Sequence, residues 1–353
     1  MAWYSLDTLV PLLTTLQYPL PTPPNPDSFP EYSYYGTGLR DGWILISMIA
    51  AMAILRDVLR LAIFEPYARW SLLRQLRERK ERDLSKTKSN GNGVAKNNGQ
   101  ALNGHGDAKT RLKPRKSELR AINRSVLRFA EQGYQFTYYT SCWCYGLWIH
   151  YSLPTQILNP EGTLWIKYPH MPLALPIKIY YLVQFSFYLH QLFVLHAEAR
   201  RKDHYQMLYH HFITIGLLLM SYIYGYTRVG CVVLVLMDTV DVFFPFAKML
   251  KYLNYTTACD VAFGAFLVSW FITRHMLFPL IIWSTYKDML RYMPYGWDPE
   301  NNYYVTWGIW VGYLVLMSTL EVVQLVWFKA ICAVAYRVIT GQGAEDTRSD
   351  GEE

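Results

Sequence analysis

The sequence predicts an all-α, polytopic membrane protein of about seven transmembrane helices, a lone first span followed by a six-helix body. Three observations carry this reading. Of the 353 residues, 52% are apolar and 16% aromatic, a high share for a soluble chain. Charge is segregated: sixteen Lys or Arg stand against five Asp or Glu between Arg69 and Arg124, whereas several later stretches carry almost none over about 20 residues, the length of helix that crosses a bilayer. The run from Ser85 to Gly106, rich in Asn, Gly, Lys and Ser, cannot bury a core and reads as a flexible linker. The net charge of +7 comes largely from the basic loop, so it points to the cytosolic side of a membrane and gives no case for a nucleic-acid partner.

Residues 1–38 form a Pro-rich tail that lacks Lys and Arg and is broken by Pro19, Pro21, Pro23, Pro24, Pro26 and Pro30. No cleavable signal peptide is evident there, so the first span, Gly42 to Ile63 within 39–65, must act as the targeting signal. A basic cytosolic linker, 66–123, follows. The body, 124–338, holds the spans Phe129 to Leu153, Pro176 to His196, Tyr205 to Tyr224, Val229 to Leu250, Cys259 to Trp283 and Tyr304 to Trp327. Arg200, Arg201, Lys202, Lys248, Lys251, Lys329 and Arg337 fall on the side of the basic loop, which places the amino terminus in the lumen and the carboxyl terminus in the cytosol. The sequons at Asn123 and Asn254 then face the cytosol and are expected unglycosylated. Residues 339–353 are an acidic tail, either simply solvated or phosphorylated at Thr347 and Ser349 by an acid-directed kinase. Cys142, Cys144, Cys231, Cys259 and Cys332 all lie in or at the ends of apolar stretches and are expected as free thiols.

An ionisable side chain at mid-bilayer costs about 2.5 to 3.5 kcal/mol on insertion scales, so each needs a reason. The fourth span carries His210, His211, Thr214 and Ser221, the fifth Asp238 and Asp241, the sixth Arg274 and His275, the seventh Glu321 and Gln324. Asp238 and Asp241 share a helix face, whereas His210 and His211 diverge by about 100°, so one histidine can meet substrate while the other contacts a neighbouring helix. His210 lies seven residues in from Asp203, and Asp241 seven in from Lys248. Both therefore sit about 10 Å deep, at matching levels. A carboxylate beside an imidazole is a base-plus-orienter arrangement suited to acyl transfer; the plainer reading is interhelical glue. Nine histidines also bring the His-box iron enzymes into consideration, but His204 is six residues before His210 with Met207 between, and no HxxxH pair exists, so no metal is expected. The aromatic stretch from Tyr134 to Trp148 reads as packing or interfacial anchoring, with pocket lining as the alternative.

The run from Arg200 through His204, Met207, His210, His211 and Thr214, followed by Ser221-Tyr222, Arg228-Val229-Gly230 and Met237-Asp238-Thr239-Val240-Asp241, resembles the Lag1 motif of ceramide synthases in the TLC-domain family. The likeness extends over roughly Arg124 to Arg337, and Met237 before Asp238 gives it a fungal look. The resemblance implies a six-helix, barrel-like TLC bundle with one extra N-terminal span, in the endoplasmic reticulum membrane. It also implies acyl transfer from acyl-CoA, a co-substrate rather than a cofactor, to the amine of a long-chain sphingoid base. His210 or His211 would act as base or acylated nucleophile, with Asp238 and Asp241 orienting the ring. Arg200, Arg201 and Lys202 would meet the CoA phosphates or simply obey the positive-inside rule. Thr214, Ser221, Tyr222 and Arg274 are candidate substrate contacts, with Arg274 and His275 alternatively pairing with Glu321. A homodimer or a small regulatory membrane subunit is compatible with the family. The rival function is a non-catalytic TLC protein that senses or transports lipid, or serves a translocon; a second is a toxin-resistance paralogue.

Overall fold

The computed structural model describes residues 6–91, 112–197 and 203–340. It is a helical membrane protein: α7 (Thr227–Tyr252), the continuous helical stretch Thr256–Lys287 and α11 (Trp307–Ile339) are each long and apolar enough to cross a membrane. The chain forms two compact units, one of Met1–Leu55, Tyr138–Phe243 and Gly264–Glu353, the other of Arg56–Thr137 and Phe244–Phe263.

In chain order the helices are α1 (Leu6–Thr14), α2 (Asp41–Leu59), α3 (Glu65–Gly91), α4 (Lys116–Ser152), α5 (Leu175–Ala197), α6 (His204–Ile223), α7, α8 (Thr256–Trp270), α9 (Phe278–Lys287), the short α10 (Met289–Tyr292) and α11. Two π-helical turns interrupt them, Arg60–Phe64 and Phe271–Leu277. Thr306 caps α11 by accepting a hydrogen bond from the Ile309 amide, satisfying one of the donors a helix start leaves over.

In the larger unit, α5 packs against α6, α6 against α11, and α11 against α9. Helix α5 is buried on nearly all sides, Lys178, Gln184 and Ser186 included, as expected of an apolar helix inside a bundle. The stretch expected as a tail is folded. Strands β1 (Pro19–Leu20) and β2 (Tyr34–Tyr35) pair antiparallel with each other, and β2 pairs with β3 (Leu173–Ala174). The Lys178 ammonium fixes this cap: Nζ donates to the carbonyls of Gln17 and Gly36 at 2.8 Å and pairs with Asp41 at 2.8 Å, between the rings of Tyr18 and Tyr35. A second hairpin, β4 (Gly296–Asp298) with β5 (Tyr303–Val305), turns through Asn302 at φ 55. There the Asn301 side chain donates to Asp298, holding that carboxyl below the usual carboxylate range.

In the smaller unit, the residues expected as a flexible linker are helical up to Gly91, because Ala68 and Leu72 of α3 form an apolar seam with Val126 and Phe129 of α4 and with Leu253. Lys80 donates to Glu118 at 2.7 Å, and the Arg115 amide donates to the same oxygen. The Lys80 bond, then the Arg115 one, lowers the Glu118 pKa. Of the rest of the expected linker, residues 92–111 lie outside the described residues, and from Lys116 on it is already helix α4.

Candidate active site

Helices α5, α6, α7 and α11 and the π turn Phe271–Leu277 line a common pocket. At one end stand His210, Asp241, Arg274 and Tyr188. Its shaft is apolar, lined by Leu217, Val233, Leu234 and Met237. Ser221, Tyr226 and Tyr313 line its other end. His210 and Ser221 are eleven residues apart on α6, which makes the shaft about 16 Å long at 1.5 Å per residue.

His210 and Asp241, expected at matching depth, line this one cavity, and Thr214 lies one turn along α6 from His210. The 100° divergence of the histidines takes effect: His211 is buried with its ring 6.1 Å from that of Tyr188, while the His210 ring lies 5.2 Å from Trp327. Nδ1 of both histidines and Oγ1 of Thr214 are buried without a hydrogen-bond partner.

The carboxylates are not the ring orienters that the spacing led us to expect. Asp238 is fully buried and accepts a 2.6 Å bond from Gln184 Nε2, whose Oε1 in turn accepts from Tyr138. Asp241 is gripped by Arg274, whose Nη2 lies 3.2 Å from both carboxylate oxygens and 3.2 Å from the Met237 carbonyl. The third position of the Asp-x-x-Asp pair turns one carboxylate to α5 and the other to the π turn. Arg274 therefore pairs with Asp241 and not with Glu321; it is His275 that meets Glu321, at 2.8 Å.

Other expected contacts serve the scaffold. Tyr222 donates to Asp41 at 2.9 Å, as part of the Lys178 clamp. Ser221 borders the cavity, yet its hydroxyl is shared with Tyr181 at 2.7 Å and donates to the Tyr226 carbonyl. Arg228 reaches the carbonyls of Thr163 and Ile166 and pairs with Asp27. Gly230 has no room for a side chain, because a Cβ there would overlap the Tyr181 hydroxyl. Arg200, Arg201, Lys202, Thr347 and Ser349 lie outside the described residues.

Gln184, Trp270, Tyr226 and Tyr313 escaped sequence reasoning as functional positions. Gln184 left a signal, a lone amide in an apolar run, which demands a buried partner. The tyrosines left none among 29 in the chain. The five cysteines are free. Among the described residues, no group of three or more His, Cys, Asp or Glu is placed to hold a metal.

A family profile described as the TLC domain matches residues 128–333, which span every helix lining the cavity. This chain belongs to the TLC-domain family. Within that family it is similar to a ceramide synthase of Gibberella moniliformis, 36% identical over 255 residues, and to a sphingosine N-acyltransferase of Schizosaccharomyces pombe, 39% identical over 232 residues. Each alignment covers 65% of this chain and 59% of the relative, so the chain spans about three fifths of their length. A ceramide synthase of Arabidopsis thaliana is 32% identical over 237 residues, covering 66% of this chain and 77% of the plant protein.

Proposed function

We propose that this TLC-domain chain is a ceramide synthase that moves a fatty acyl group from acyl-CoA to the amine of a long-chain sphingoid base. The observation that carries the proposal is the pocket itself: an imidazole and a carboxylate–guanidinium pair line one largely apolar pocket. A thioester is already activated, so the chemistry asked of the protein is proton movement and stabilisation of the tetrahedral intermediate, and no cofactor is called for. The amine binds uncharged, having left one proton to water. As its nitrogen attacks the thioester carbon, His210 accepts the second proton; the N–C bond forms, the C–S bond breaks, and the imidazolium returns that proton to the departing CoA thiolate. Asp241 holds Arg274 at the same pocket, and Asp238, through Gln184, fixes α7 against α5. His211 packs behind as a supporting residue or shares in the proton transfer. The shaft takes the acyl chain, its apolar wall replacing the water the chain leaves.

The same proposal includes the topology: a lumenal segment 1–38, a first span within 39–65, a basic cytosolic segment 66–123, six spans within 124–338 as a barrel-like bundle, and a cytosolic tail 339–353. It sets the chain in the endoplasmic reticulum membrane with Arg200, Arg201 and Lys202 at the cytosolic mouth, suited to CoA phosphates. A homodimer or a small regulatory subunit fits this arrangement equally. One observation favours the alternative of a non-catalytic lipid-binding protein: both carboxylates are held by protein groups. The test is direct. The purified chain, given sphinganine and a panel of acyl-CoAs, should release CoA and form N-acyl product in equal amounts, whereas binding of either lipid without turnover supports the alternative.

A further inference from the structure

The π turn Phe271–Leu277 breaks an otherwise regular helical stretch at the level of the site. In an α-helix, residues five apart point about 140° away from each other; a π turn, with its i to i+5 bonding, brings them onto one face. That is the spacing of Trp270 and His275, whose ring nitrogens meet at 3.2 Å. The indole N–H can only donate, so His275 Nε2 accepts, and Nδ1 carries the proton that it gives to Glu321 at 2.8 Å. The tautomer is thereby fixed, and the indole is held at its edge. Its face then carries the Arg274 guanidinium, with Cζ 4.1 Å from the ring centroid.

Arg274 is 3% exposed. Its Nη2 is committed to Asp241 and the Met237 carbonyl, but its Nε is buried with no partner, on a residue that lines the cavity with His210. A buried N–H on a charged group is costly to leave unbonded, and the acceptor the cavity is proposed to receive is a thioester carbonyl. We propose that Arg274 is the electrophilic catalytic residue of the acyl transfer, its Nε–H donating to the acyl carbonyl oxygen, and that Trp270, His275 and Glu321 are positioning residues that aim it. This rests on the acyltransferase reading above. When the nucleophile attacks, the carbonyl π pair moves onto that oxygen, and the guanidinium donor strengthens its bond to the oxyanion. On collapse the C=O re-forms and the electron pair of the C–S bond leaves with the CoA sulfur. The oxygen is the same whether the attacking nitrogen belongs to the amine or to an imidazole, so the role does not depend on which intermediate forms.

The experiment uses the full chain in detergent or nanodiscs with acyl-CoA and sphinganine. Arg274→Lys keeps the charge and loses the Nε–H; it should lower kcat roughly 100- to 1,000-fold, the loss associated with one oxyanion donor, with KM for acyl-CoA within about threefold. An acyl-CoA thioether, which lacks the carbonyl oxygen, should bind this variant as it binds wild type. Trp270→Phe and Glu321→Gln should each lower kcat about tenfold in the wild-type background and less than twofold in the Arg274→Lys background, since residues acting through Arg274 lose their effect with it. Should Arg274→Lys fail to fold, the single brace variants still decide: a fall in kcat with an unchanged KM supports the assignment. A rise in KM at constant kcat, or brace effects that persist undiminished beside Arg274→Lys, overturns it. A wild-type chain that forms no amide overturns the acyltransferase reading and this assignment together.

Discussion

Gly230 offers the sharpest test of how the Lag1-like motif divides between chemistry and scaffold. A Cβ at this position would overlap the Tyr181 hydroxyl and stand 2.5 Å from Ser221 Oγ, and the two hydroxyls are themselves bonded at 2.7 Å. The Tyr181 hydroxyl also lies 3.2 Å from the Thr227 carbonyl, which can share that hydroxyl's single hydrogen with Ser221. Gly230→Ala must therefore displace a 1%-exposed tyrosine from between α6 and α7. Losing two buried hydrogen bonds costs about 0.5 to 1.5 kcal/mol each, and overpacking about 1 to 3 kcal/mol more, which gives a destabilisation of roughly 2 to 6 kcal/mol. Thermal unfolding of the detergent-solubilised variant should shift down by roughly 10 °C, taking about 2 to 4 °C per kcal/mol. Adding Tyr181→Phe removes the clashing oxygen, so the double variant should regain about 1 kcal/mol relative to additivity. A Gly230→Ala variant as stable as wild type, or a double variant that is simply additive, would refute the idea that this glycine exists to admit the Tyr181–Ser221 bond.

Three further outcomes are expected. Lys178→Met leaves the Asp41 carboxylate buried without its cation, and should cost about 3 to 5 kcal/mol, read as lower thermal stability and faster proteolysis within residues 17–41; Lys178→Met with Asp41→Asn should recover part of the loss. Tyr313→Ala should lengthen the pocket at the Tyr313 end. At about 1.3 Å per methylene, from C–C bonds near 1.5 Å, the 16 Å shaft suits chains of roughly 12 carbons. In a mixed acyl-CoA competition the variant's optimum should move several carbons longer, and an unchanged profile would show that Tyr313 is no floor. Glu118 has its pKa lowered by Lys80, so its contribution is fully present above the unfolded carboxylate pKa of about 4.3 and is lost as pH falls through the lower folded value. Hydrogen exchange at the start of α4 should accordingly quicken below that window in wild type, and Glu118→Gln should flatten the dependence.

Much of the site was legible because a membrane makes every ionisable residue conspicuous. Counting turns from Asp203 and Lys248 led to His210 and Asp241 being read together, since helix rise is fixed, and both line one pocket. Sequence spacing could not say what the carboxylates bind. A three-residue step puts Asp238 and Asp241 on one face, but whether a given oxygen meets an imidazole, Gln184 or Arg274 depends on the rotation of three helices and on a π turn that no local pattern marks. The pairing of the Pro-rich segment with β3 was not legible for a related reason. Its order comes from Lys178, 137 residues beyond Asp41, gathering carbonyls and rings that have no local periodicity. The linker was misread in its first part because α3 is so polar: its burial rests on a few positions such as Ala68 and Leu72, while the surrounding charges face outward.

On the proposed mechanism His210, at one end of the pocket, moves the proton that lets an amine displace CoA. The most direct measurement is single-turnover N-acylation of sphinganine by the purified chain, comparing wild type with His210→Ala at saturating acyl-CoA. Wild type should give amide and free CoA in equal amounts, and the variant a rate lower by about 100- to 10,000-fold with lipid binding retained. An unchanged rate in His210→Ala would contradict the mechanism.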